Sequence, residues 1–210
     1  MQGLQMLLLS QGVDANSYKE IQLPLANDVA DATQWYYPYM RYAMASSIII
    51  VHPDGTLQPS ATLNRGAVAQ MLYHFAMYQG GRRTQALLSE EENELVNVLQ
   101  MFDQKNSAQA QYASARALLA ARGANSIKPN TPIVQAAVKT AEAFRLLVQA
   151  YDAGVSGKLN DVLTFTKDAW TTAQKAKDIS PSLGDLTSRV QEIAKNMADQ
   201  ARSLQAASSK

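Results

Sequence analysis

Leu183, Leu186, Val190, Ile193, Met197 and Leu204 return every three or four positions, with Gln200 the one irregular step. Residues so spaced share one face of an α-helix, and a run this regular is a heptad seam that must be covered by a neighbour. The chain from residue 86 onward repeats this grammar. Ser89 with Glu92 forms a capping box, and the acidic run 90–94 complements the positive end of a helix dipole and needs no metal. Leu95, Leu99 and Phe102 follow on one face, predicting a helix that runs to Arg122 with Gly123 as its C-cap. Thr131-Pro132 starts a second helix with the stripe Val134, Ala137, Ala141, Phe144, Val148 and Tyr151, ended by Gly154. A third spans roughly 158–178, with Leu159, Val162, Leu163, Ala169, Trp170 and Ala173 inward, and Ser180-Pro181 breaks it. Four helices with short loops point to an all-α fold, an antiparallel bundle or helical hairpins.

The first part of the chain is written differently. Five aromatic residues fall between Trp35 and Tyr42, followed by the apolar run Ile48-Ile49-Ile50-Val51 and the turn Pro53-Asp54-Gly55. Trp35 to Arg41 opens a helix on which Trp35, Tyr39, Tyr42, Ala43 and Ser46 share a face, so these rings read as packing. The β-branched run is too short for a helix and reads as a turn or short extended segment. Gly55 is expected at φ > 0, and Leu57 and Pro59 fold back on the first helix. Asn64 is the N-cap of a second helix that turns Val68, Met71, Leu72 and Phe75 inward. Gln79-Gly80-Gly81-Arg82-Arg83 reads as a helix stop and linker.

Composition closes off several functions. The net charge of +1 gives no footprint for nucleic acid, and Arg41 alone interleaves the aromatic run. With no cysteine there are no disulfides, thiolate metal sites or cysteine nucleophiles. His52 and His74 lack the partners of a zinc site or a hydrolase triad, and Gly154, Gly157 and Lys158 make no phosphate loop. No catalytic, cofactor-binding or metal-binding residue is assigned. No apolar run reaches the ~20 residues of a membrane span. The opening MQGLQMLLLSQG has no basic residue before its apolar stretch and no small-residue cleavage site, so no export signal is expected in this chain.

The order of these pieces resembles the S-layer homology domain. Asp28-Val29 with Trp35-Tyr36 matches its opening, Tyr39-Met40 and Ala43 its helix face, and Pro53-Asp54-Gly55-Thr56 with Pro59 its loop. Arg65 matches the arginine of its Thr-Arg-Ala-Glu signature, here Asn64-Arg65-Gly66-Ala67, so the glutamate is missing. Ser47 and Val51 stand where the family usually has glycine. Gln5-Met6-Leu7 recurs as Gln70-Met71-Leu72 at about the family's repeat length. The resemblance implies the end of a preceding repeat and a linker over 1–25, one such domain over 26–80, and a helical bundle or stalk over 81–210. On this reading the chain is expected to be the C-terminal part of a longer surface protein, or a truncated form of one.

The resemblance further implies a non-enzymatic cell-surface protein, held noncovalently to an acidic cell-wall or envelope polysaccharide. Other surface proteins are candidate partners of the helical part. The implied glycan contacts are Arg65, Asn64, Gly66, Trp35, Asp54 and Gly55. A helix start offers free N–H groups and a positive dipole end to a carboxylate, and Arg65 adds a charge-assisted bond. Three of them have a structural alternative: Arg65 pairing with Asp54 or Asp28, Trp35 as a buried anchor, Asp54 as a turn former. The rival reading for the whole chain is a helical protein–protein interaction or oligomerisation module, with the first part only as scaffold.

Overall fold

A computed structural model of the chain describes residues 2–14 and 16–208. Among these residues there are eight α-helices and no strand, so the all-α expectation holds. Of the segments delimited above, Met1, Ala15 and residues 209–210 lie outside the described residues.

The N-terminal part contains α1 (Gln2–Ser10), α2 (Tyr37–Ala45) and α3 (Arg65–Gln79). Five long helices follow: α4 (Thr84–Asp103), α5 (Ser107–Ile127), α6 (Pro132–Val155), α7 (Leu159–Ile179) and α8 (Gly184–Ser208), the last entered through a 3₁₀ turn at Pro181–Leu183. Each of the five packs on the next, as short connections require. The expected helix over 89–122 is two helices. It starts earlier, at Thr84, so Ser89 is an interior residue and caps nothing. It breaks at 104–106, where Lys105 takes φ 55° and the Asn106 side chain accepts from Gln109 N to start α5. Gly123, expected as a C-cap, lies inside α5, which continues to Ile127.

Alanine sets the spacing of this half. Ala110, Ala113, Ala117 and Ala121 of α5 and Ala136, Ala137, Ala141 and Ala143 of α6 are all buried. Small side chains let the helix axes approach, and Leu119, Phe144 and Leu147 fill the remaining space. Each of these three contributes about 2–3 kcal/mol by leaving water. One core runs through both halves, from Leu8 and Met40 to Phe144 and Val190. The heptad seam of α8 is filled from within: Val190 and Ala194 join this core, while Leu204 is exposed. Trp170, expected inward, is 46% exposed on α7.

Helix α2 is seated against α5 by a close backbone approach. A Cβ at Gly123 would stand 1.6 Å from the carbonyl oxygen of Ala45, the last residue of α2. Only a glycine permits this contact. Beyond Ala45 the chain closes α2 with paired bonds, Ser47 N to Met44 O and Ile48 N to Ala43 O. That closure places Ser47 at φ 54°, the left-handed conformation in which glycine is the usual residue.

Candidate functional site

The segment between α2 and α3 is built as its turn residues dictate. His52 N donates to Thr56 O and Gly55 N to His52 O, with Gly55 at φ 79° as expected. Asp54 accepts from the backbone N–H and the hydroxyl of Thr56, which together hold its carboxyl below the usual carboxylate range, the hydroxyl first. Asp28 reaches across from before α2 and accepts from Leu57 N and Gln58 N at 3.0 and 2.7 Å. This carboxylate ties the turn to the opening of the segment. Leu57 is buried as a consequence.

Asn64 caps α3 as predicted, its side-chain oxygen accepting from Ala67 N at 2.8 Å. Arg65 and Gly66 are the first two residues of the helix, so their amides have no intrahelical partner. Arg65 is exposed and takes part in none of the ion pairs found among the described residues. Neither Asp28 nor Asp54 pairs with it, since both carboxylates are engaged by backbone amides. A Cβ at Gly66 would stand 3.3 Å from Asn64 Oδ1, so glycine leaves the cap and the free amides open to approach.

Helix α3 is the least buried of the helices around this segment. Phe75 is its one buried residue, and Val68 and Leu72, expected inward, are 40% and 45% exposed. Its far end is held by Tyr78, whose hydroxyl meets those of Tyr18 and Ser126 at 2.9 and 2.6 Å. Burial raises the pKa of Tyr18, and burial pushes that of neighbouring Tyr42 up to about 12, so both rings stay neutral. Beneath α3 runs an apolar groove of about 240 Å³, lined by Met40, Ile48, Ile50, Leu57, Met71 and His74 among others. None of the six candidate glycan contacts lines this groove.

Trp35 lies in the turn before α2 rather than on it, 51% exposed, with its ring edge-to-face on Tyr36 at 5.8 Å. The buried anchor of the aromatic run is Tyr37 instead. Its hydroxyl accepts from Leu23 N and donates to Leu23 O, fastening the preceding segment onto α2. Arg41, also buried, donates to Ile21 O and lies over the Tyr37 ring. Both roles escaped sequence reasoning, because the buried face of α2 carries Tyr37, Met40, Arg41 and Met44 rather than the predicted Trp35, Tyr39 and Tyr42.

Two further polar links attach this segment to the bundle. Arg116 of α5 makes a paired contact with Glu94 of α4 at 2.7 Å, nearly buried, and donates to Leu25 O just before Asp28. The Ser47 hydroxyl meets both Glu90 and Arg83, and Arg83 also donates to Ser47 O at 3.1 Å. Burial raises the pKa of Glu90, and these two partners oppose the shift. The serine at the left-handed position thus carries a link that glycine would lack.

Residues 27–69 match the sequence model of one protein family, described as the S-layer homology domain. The rest of the chain matches no family model. No curated protein and no solved structure matches the chain. Among the described residues no group of three histidines or carboxylates is placed to hold a metal ion, and no helix is long and apolar enough to cross a membrane.

Proposed function

With an S-layer homology domain at residues 27–69 as the premise, we propose that the chain is a non-enzymatic anchor that binds a carboxylate of an acidic envelope polysaccharide at the start of α3. The domain itself is a cell-wall binding module and associates the chain with the cell surface. The observation that carries the finer reading is the exposed Arg65, in no ion pair among the described residues, beside two free amides at a capped helix start. A guanidinium and backbone N–H groups together suit a planar carboxylate, and the dipole adds to the attraction. The exposed ring of Trp35 offers a stacking face for a sugar, and the Asp54-Gly55 turn offers close backbone approach. Loss of the family's glutamate leaves the cap to Asn64 alone and removes a negative charge from the ligand's path.

In this reading residues 26–80 bind and residues 81–210 form a stalk or an interaction body for other surface proteins, although one core joins them. Trp170 and Leu204, exposed on α7 and α8, favour the second role for the bundle. The test is sedimentation of purified protein with isolated acidic wall polysaccharide and with the same polymer after its carboxyl groups are reduced to alcohols. The protein is expected to sediment with the first and not with the second. Equal sedimentation with both polymers, or with neither, would overturn the proposal.

A further inference from the structure

Away from the S-layer homology segment, α4, α6 and the turn into α8 enclose a cavity of about 380 Å³. Leu88, Ile133 and Leu186 are among its apolar lining residues, and the charged residues among the described lining are Glu91, Glu92 and Asp185. No lysine or arginine is among the described residues that line it. Three carboxylates on one cavity are not by themselves a site. The further observation is Glu91, only 3% exposed, whose Oε1 is buried without a hydrogen-bond partner among the described residues. A buried polar oxygen left unpaired is costly, and the usual remedy is a donor from elsewhere.

We propose that this cavity binds a small aliphatic ammonium compound, with its –NH₃⁺ group on Glu91 between Glu92 and Asp185 and its hydrocarbon body on Leu88, Ile133 and Leu186. An ammonium carries three donors and a full charge, which meets the unpaired oxygen and offsets the two neighbouring carboxylates. The volume falls within the range of small-molecule pockets, and the lining is mixed, with Gln85, Ser89 and Ser182 beside the carboxylates and the apolar side chains. This site is independent of the glycan reading, since it shares no residue with α3 or its loop.

Glu91 titrates at about 8, raised first by burial and then by Glu92. Below that pH the incoming ammonium must displace the carboxyl proton, which passes to the buffer as the ion pair forms. Above it the carboxylate is already ionised while the alkylammonium, at a pKa of about 10.4 or higher, keeps its charge. Calorimetric titration with n-butylammonium, and with n-butanol as the neutral isostere, tests the proposal. Binding is expected to strengthen about tenfold between pH ~7 and pH ~9, with close to one proton released at the lower pH, as linkage requires. The isosteric Glu91→Gln variant, with its fold checked by circular dichroism, is expected to bind about tenfold more weakly or worse at pH ~9 and to lose the proton release. The wild-type proton release needs no variant and stands if Glu91→Gln misfolds. Equal binding of butanol, absence of butylammonium binding at pH ~9, or a pH-independent affinity with no proton released would overturn the proposal.

Discussion

The carbonyl oxygen of Ala45 occupies the place beside Gly123 that a side chain would need, with a Cβ there only 1.6 Å away. Helix α2, and with it the approach to the S-layer homology loop, is therefore positioned by the absence of one methyl group on α5. Gly123→Ala forces the two backbones apart, an overpacking worth about 3 kcal/mol. For a chain of this size that lowers Tm by roughly 6–12 °C. Gly154→Ala is the control. It lies inside α6, and its Cβ meets Val162 at an ordinary 3.7 Å. Thermal denaturation is expected to show it neutral or stabilised by up to about 1 kcal/mol.

The carboxylate of Asp28 holds the amides of Leu57 and Gln58, and so fixes where the turn hands the chain to α3. Asp28→Ala removes both bonds, each made to a charged acceptor, at a cost of about 1.5–3 kcal/mol. Hydrogen exchange is the readout. The amides of Leu57 and Gln58 should exchange faster, while those inside α5 and α6 stay protected.

Glu91 gives the bundle a pH dependence of determined sign. Its carboxyl is pushed up to about 8 in the fold, against about 4.5 for an ordinary glutamate. Between those values the unfolded chain ionises and the folded chain keeps its proton, so the folded state binds more protons and stability falls as pH rises. The loss begins near pH 4.5 and is complete above about 8, roughly 5 kcal/mol at most. Glu91→Gln should flatten this slope in urea denaturation between pH ~5 and ~8, gaining stability over the wild type as pH increases.

What the sequence disclosed was governed by local chemistry. Asn64 as a cap and Gly55 at positive φ are decided by residues next to them, and both stand as expected. So does most of the stripe on α6: Val134, Ala137, Ala141, Phe144 and Val148 are buried, and only Tyr151 at its end is half-buried. The 104–106 break was hidden because Leu95, Leu99 and Phe102 keep one period right up to it, and the signal at Asn106-Ser107 is a short cap within a polar stretch. Partnerships over distance were not legible at all. Arg116 finds Glu94 and Leu25, and Gly123 finds Ala45, only once the helices are packed. The exposed state of Arg65 belongs to the same class. Asp28 and Asp54, its nearest candidates for pairing in the sequence, are instead bonded to the loop itself.

The most direct test of carboxylate capture at the start of α3 is the affinity for acidic envelope polysaccharide of wild-type protein and Arg65→Ala, measured over a salt series. The account predicts wild-type binding that weakens as salt rises, and a roughly ten- to hundredfold loss in Arg65→Ala with a shallower salt dependence. Identical affinities and identical salt slopes for the two proteins would contradict it.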